Sequence, residues 1–410
     1  MLTTKKLQHS ISGPWLNRTV IGIGLASLFS DWSHEIATTV LPRFLATLGA
    51  AAIWLGLIEG VSDGLSSFTK MASGYYTDRL RQRKPIAVAG YLTTTLATAA
   101  IGLATGAWQV LLARATAWLG RGLRTPVRKA LLAGSVDRSA YGRAFGFERM
   151  MDTLGAVVGP ATAFILLSVC QFGYPSLFAV TLVPGLIAVA LMAFLVKEKT
   201  REPVPHISFM GSLRALPADF SKFVIAVGFF GLGDFAHTLL ILLATQKLAP
   251  ILGATAAASW AIGLYVLHNI LYAAFSFIGG WMADHFDKRR LLATGYLLAA
   301  LMAFTVILLP PSIGMFVLVF SLGGIFVALE ETLEDSLCAE LVHEDQHGTA
   351  FGAVATVNGI GDFASSLIVG TLWTFFGTTI AFSYSAVLFV VGAVLILRLP
   401  SANRFAQKPG

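Results

Sequence analysis

Long apolar runs separated by short polar breaks repeat from one end of the chain to the other. A run of about 18 to 25 apolar residues crosses a hydrocarbon core of roughly 30 Å as an α-helix. Reading runs and breaks in order predicts twelve spans, at about 20–46, 52–77, 85–104, 107–130, 144–168, 175–196, 223–246, 258–283, 291–309, 314–338, 349–375 and 379–398. One long polar stretch interrupts the rhythm near the middle and holds Lys197, Lys199, Arg201, Pro203, Pro205, Arg214 and Lys222. The pattern therefore predicts an all-α membrane protein with a six-span half over 1–196, a cytoplasmic linker over 197–222 and a second six-span half over 223–410.

Composition points the same way. The chain is 56% hydrophobic and 12% charged, with mean hydropathy +0.74, whereas soluble domains carry about 25% charge. The net charge of +7 lies mostly in the loops after spans 2, 4, 6 and 8, at Arg79 to Lys84, Arg138 and Arg143, the linker, and Lys288 to Arg290. The opposite loops hold only Lys247. This asymmetry predicts a multi-pass inner-membrane protein with both termini cytoplasmic, its bases meeting lipid headgroups and no nucleic acid. Residues 1–19 are polar and the run after them is long enough to stay in the bilayer, so no cleavable signal peptide is evident. Cys170 and Cys338 make no metal-ligand spacing and read as small core residues. No nucleophile–base pair, phosphate loop or metal-protease motif occurs, so the reading is not an enzyme and calls for no cofactor.

The two halves repeat in register. Gly74-x-x-x-Asp78 returns as Gly280-x-x-x-Asp284, and Gly142-x-x-Phe145-Gly146 returns as Gly348-x-x-Phe351-Gly352. Asp31-x-x-His34 of span 1 returns as Asp234-x-x-His237 of span 7. A parallel repeat of two such halves is the sequence mark of a carrier with its site at their interface. With these features, the loop Gly74-Tyr-Tyr-Thr-Asp78-Arg79-Leu-Arg81-Gln-Arg83-Lys84 resembles the signature between spans 2 and 3 of the major facilitator superfamily, though its basic residues stand at 81, 83 and 84. The resemblance covers essentially the whole chain. It implies a monomeric permease working by alternating access, with this loop as part of an inner gate. Gly155-x-x-x-Gly159-Pro160-x-x-Ala163 in span 5 is similar to that family's antiporter motif, with alanine for the last glycine, and favours efflux.

Charges inside spans cost roughly 2.5–3.5 kcal/mol each on insertion scales, so they face a cavity or a partner. Asp31, His34 and Glu35 share one face of span 1, and with Asp63 of span 2 are candidates for proton coupling. Arg114, Arg121, Arg124 and Arg128 form one stripe on span 4. In span 10 the corresponding positions of Arg124 and Arg128 are Glu330 and Glu334, with Glu331 and Asp335 beside them. Three readings are open for this inverted charge. The first is an inner gate of ion pairs between halves, using Arg124, Arg128, Lys129, Glu331, Glu334 and Asp335 with the loop residues Gly74, Asp78, Arg79, Arg83, Lys84, Asp284 and Arg289. The second is a bipolar cavity that binds substrate through Arg114, Arg121, Asp234, His237 and Glu330. The third is local pairing with Glu148, Arg149 and Asp152 of span 5.

The expected function is proton-coupled movement of a small organic solute by alternating access, with export favoured. One alternative is a divalent metal or siderophore-type chelate transporter, if Asp31, His34, Glu35, Asp234, His237 and His268 converge. Another is a non-transporting sensor or scaffold on the same bundle. Phe229, Phe230, Phe235, Tyr265, Tyr272 and Phe275 read as a packing face before a stacking site.

Overall fold

The computed structural model describes residues 14–198 and 209–400; Lys199, Arg201, Pro203 and Pro205 of the linker, and both chain termini, lie outside the described residues. Among the described residues the chain is helical, with spans at Arg18–Thr47, Ala52–Thr77, Lys84–Ala100, Ala107–Ala133, Tyr141–Ser168, Tyr174–Leu195, Ala254–His285, Lys288–Leu308, Ile313–Leu341, His347–Phe376 and Thr378–Leu397, and a seventh made of two helices, Ala218–Gly231 and His237–Leu252. Eight of these are long and apolar enough to cross a membrane by length and composition alone. Spans 1, 2 and 4, which carry Asp31, Glu35, Glu59, Asp63 and the arginine stripe, and the divided span 7 fall outside that group.

Local chemistry sets where helices begin and turn. The Asn17 side chain accepts from the Thr19 and Val20 amides at 2.9 and 3.1 Å and starts span 1. Ser312 does the same for Met315 at 3.1 Å and starts span 10. Spans 7 and 8, and likewise 11 and 12, are joined through a single glycine, Gly253 and Gly377, at φ of 84° and 86°. Only glycine takes that backbone without strain.

Span 7 departs from the continuous helix that its apolar run predicts. Its helical bonds stop at Gly231 because span 11 supplies replacements. The Ala236 amide donates to Ser366 Oγ at 3.1 Å, and Ser365 Oγ donates to the Asp234 carbonyl. Gly231 lies against the backbone of Gly361, and Gly233 against Ser385 and Leu388. The Gly231-Leu232-Gly233 run was the available signal for this break.

The two sets of six helices meet along spans 2 and 11 and along spans 5 and 8. A Cβ at Gly74 would overlap the Gly348 carbonyl oxygen, one at Gly142 the Gly280 carbonyl, and one at Gly146 the Ser276 carbonyl. The backbones therefore touch directly on the side of the basic loops. The contact between spans 2 and 11 runs inward as far as Ser67, whose carbonyl accepts from Thr356 Oγ1 at 3.2 Å. Beyond it Gly64, Gly60 and Gly56 of span 2, Gly263 of span 8 and Gly370 of span 11 have no neighbouring atom within 4 Å of a would-be Cβ. The bundle is closed on the basic-loop side and parts toward the other.

Candidate substrate pathway and gate

Two aspartates close the basic side by the same device. Asp78, at the end of span 2, accepts from the Gly348 and Thr349 amides at 2.9 and 2.7 Å and from Thr349 Oγ1 at 2.8 Å. Asp284, at the end of span 8, accepts from the Gly142 and Arg143 amides at 2.7 and 3.1 Å and from Arg143 Nε at 2.6 Å. Each carboxylate thus sits on free amides in the first turn of a helix from the other half, where the helix dipole favours negative charge. Arg83 holds Asp78 at 2.6 Å. Around them, Arg79 packs its guanidinium 3.5 Å over the Tyr75 ring and donates to Ser212 Oγ of the linker at 2.7 Å. Lys84 donates to the Val196 carbonyl at 2.8 Å, while Glu198 accepts from the Arg83 and Lys84 amides at 2.7 and 2.8 Å. Arg289 binds Asp287 of its own loop at 2.5 Å and does not cross between halves.

Ion pairs link the halves one layer deeper, through Lys129, Asp335 and Glu331 of the predicted residues but not through Arg124, Arg128 or Glu334. Arg124 donates to Ser30 Oγ at 2.5 Å and lies 4.1 Å from the Tyr91 ring centroid. Arg128 donates to Ser27 Oγ at 2.6 Å and pairs with Glu148 at 3.0 Å and Asp152 at 3.5 Å. Glu334 accepts from Tyr296 at 2.5 Å and Asn358 at 2.9 Å. All three stay within their own half. The cause is local: Gly120 packs on Gly90, drawing span 4 against span 3 and turning Arg124 under Tyr91. The pairs that do cross are Lys129 with Asp335 at 2.6 Å and Arg149 with Glu331 at 2.8 Å.

Above this layer the side chains of span 1 meet span 4. Arg121 donates to Asp31 at 2.9 Å, and Arg114, 1% exposed, donates to Glu59 and to Thr38 Oγ1, each at 3.3 Å. Trp118 lies between them, its ring 5.6 and 5.5 Å from the two guanidinium centres and edge-on to His34. Glu35 stands 4.0 Å from His34 Nε2. The glycines of the span 5 motif pack here: a Cβ at Gly155 would meet the Leu28 carbonyl and Asp31 Cβ, and one at Gly159 would meet Glu35 Cβ. Pro160 follows inside the same helix. The motif thus sets how closely span 5 approaches the Asp31–Glu35 turn.

The opposite wall is acidic. Asp234 occupies the break in span 7, and His237 opens the helix after it, its ring 4.6 Å from that of His268. Glu330 is buried at 7% exposure, and no hydrogen bond or ion pair reaches its carboxylate or those of Asp63, Asp234 and Asp362 among the described residues. Asp362 is a carboxylate that the span pattern did not single out; a charge inside the apolar run 349–375 was the signal. The six residues of the metal alternative divide between the two walls, and among the described residues no group of three or more His, Cys, Asp or Glu is arranged to hold an ion. Of the aromatic residues considered, Phe230 stacks on Tyr296 at 3.8 Å inside the core, whereas Tyr265 is 37% exposed.

The profile of the Major Facilitator Superfamily matches residues 23–233 and again 223–410. The chain belongs to this superfamily. An uncharacterized MFS-type transporter of Methanocaldococcus jannaschii is 29% identical over 384 residues, covering 93% of this chain and 95% of the relative. The multidrug resistance protein MdtG of Citrobacter koseri is 28% identical over 246 residues, 58% of this chain and 56% of that one. Among solved structures, the human organic anion transporter MFSD10 superposes with a TM-score of 0.76 at 15% identity, covering 92% of this chain and 99% of that chain. The transporter FucP in its outward conformation gives 0.71 at 16% identity, covering 96% and 100%. The helical spans and the repeat are therefore features of a major facilitator fold.

Proposed function

We propose that this chain is a monomeric secondary transporter of a small organic solute, coupled to protons and working in the direction of export. The observation that carries it is the Asp31–Arg121 pair beside Glu35, placed where the two sets of spans begin to part. A carboxylate held by an arginine inside a membrane bundle can exchange that partner for a proton. Release of Arg121 on protonation then couples solute binding to the state of the gate. The bias of bases to one set of loops supports placing that side, and both termini, in the cytoplasm of an inner membrane. The closed basic side then corresponds to an outward-facing state. Efflux draws on the Gly155, Gly159 and Pro160 motif and on the similarity to multidrug resistance proteins.

The test is Asp31→Asn in reconstituted vesicles. The variant should insert normally, retain solute exchange and lose acceleration by an imposed pH gradient. Proton-driven flux equal to that of the parent protein would remove Asp31 from the mechanism.

A further inference from the structure

The 206-residue offset of the repeat recurs in two ring contacts between the halves on the basic side. Phe145 and Phe351 place their ring centroids 5.6 Å apart, and Tyr141 and His347 place theirs 6.3 Å apart. Equivalent residues at the starts of spans 5 and 11 thus face one another where the bundle is closed. Two of the four rings cannot ionise and the Tyr141 phenol is neutral up to about pH 10. The fourth, His347, is an imidazole at 0% exposure. It precedes the apolar run 349–375 and lies at the level of the basic loops.

This enclosure accommodates one imidazole proton and no more. His347 Nε2 lies 3.1 Å from the Ala339 carbonyl of span 10, and Nδ1 is buried without a partner. A carbonyl only accepts, so Nε2 carries the single proton of a neutral ring and Nδ1 is bare. A second proton would bring a charge, and an N–H with no acceptor, between Tyr141 and Phe351. The charged groups on the surrounding elements are already engaged with one another. Asp78 pairs with Arg83, Lys129 with Asp335, Arg143 with Asp284 and Lys288 with Glu340, each at 2.6 Å. His343 pairs with Asp345 at 3.1 Å, and the Glu344 carbonyl accepts from Arg83 at 3.3 Å. Arg138, in the loop before span 5, adds a further positive charge. Among the described residues none of these groups bonds the imidazole.

We propose that His347 is a proton sensor that lets the basic-side gate open as the cytoplasm acidifies. Tyr141 belongs to the other half, so parting the halves withdraws it and admits water to the ring. An imidazole in water titrates near pH 6.5. Below that pH the open gate takes up a proton that the closed gate excludes. The open-to-closed ratio therefore rises as pH falls, by up to about tenfold per pH unit, and is level above it. The inference rests on the transporter reading, in which the basic side faces the cytoplasm. It adds a regulatory input separate from proton coupling at Asp31.

The experiment uses the full chain in detergent, in a background lacking Cys170 and Cys338. Spin labels at Gln82→Cys and Phe286→Cys, exposed positions of opposite halves on the basic side, report closed and open gates as short and long distances. Between about pH 7.5 and 5.5 the open-to-closed ratio should rise roughly tenfold. The same labels in Lys129→Ala, where closure is weakened, keep the open fraction measurable. His347→Phe, and His347→Gln, which keeps a donor for the Ala339 carbonyl, should each flatten the response. His343→Gln, at an exposed position, should leave it intact. A ratio independent of pH in both the parent and Lys129→Ala, or an unchanged response in both His347 variants, would overturn the sensor. The response should survive Asp31→Asn; its loss there would return the pH dependence to the coupling site and dismiss His347. Proton-driven flux is measured separately in vesicles, so failure of the coupling reading is distinguished from failure of this one.

Discussion

Lys129 and Asp335 stand 206 positions apart, the offset that relates Asp78 to Asp284, and they meet at 2.6 Å. Residues at equivalent places in the two halves thus contact one another across the pseudo-two-fold axis. The repeat has kept the position and inverted the charge, because two lysines or two aspartates there would repel in a buried site. Removing one member leaves a buried charge unpaired, at about 3–5 kcal/mol. Lys129→Ala should therefore open the basic side, read as faster labelling of a cysteine placed at Ser67 in a background lacking Cys170 and Cys338. The exchange Lys129→Asp with Asp335→Lys should restore most of the closure. Labelling unchanged in Lys129→Ala would assign closure to the aspartate caps alone.

The caps have their own signature. Asp78 accepts three bonds from the start of span 11, and Asp284 three from the start of span 5. Asn keeps the shape but loses the charge that the helix dipole favours, at about 1–3 kcal/mol. Asp78→Asn and Asp284→Asn should each favour the inward-open state, read as greater accessibility of the same cysteine at Ser67. Asp78→Asn also frees Arg83, so it should have the larger effect.

Glycine substitutions should divide by depth along the helices that join the two halves. Gly74→Val and Gly142→Val place side chains into the Gly348 and Gly280 carbonyls and should stop flux by preventing closure. Gly56→Ala and Gly263→Ala meet no atom within 4 Å, so flux should stay near that of the parent. A transport assay on the four variants with matched membrane levels checks this. Equal loss in all four would contradict closure by backbone contact.

Gly159 links span 5 to the candidate coupling site. A Cβ there would press on Glu35 Cβ and the Trp32 carbonyl. Gly159→Leu should push span 1 away and weaken the Asp31–Arg121 pair, lowering proton-driven flux at least tenfold with less change in solute exchange. Equal loss in both assays would indicate a general packing defect.

Phe230 tests the core rather than the pathway. Its ring stacks on Tyr296 at 3.8 Å and packs on Phe389 and Phe326. Truncating a buried aromatic costs about 3–5 kcal/mol. Phe230→Ala should lower the melting temperature by several degrees, whereas Phe229→Ala, at a 41% exposed position, should change it little.

The sequence by itself determined what depends on spacing and composition. Apolar run lengths gave the spans because the bilayer fixes how long a helix must be. The common offset of Asp78 and Asp284 marked the repeat, and the arginines of span 4 marked a helix that needs partners. Which partners those would be was a tertiary matter. Arg124 and Arg128 share a stripe with Arg121, yet the Gly90–Gly120 contact turns them into their own half, and Lys129, one residue further on, makes the crossing pair. Likewise the apolar run of span 7 reads as one helix, while Ser365 and Ser366 of span 11 replace its central bonds and leave Asp234 at a break. Periodicity records which residues share a face. Which neighbour that face meets depends on how closely two backbones approach, and glycine contacts over a few ångströms decided it.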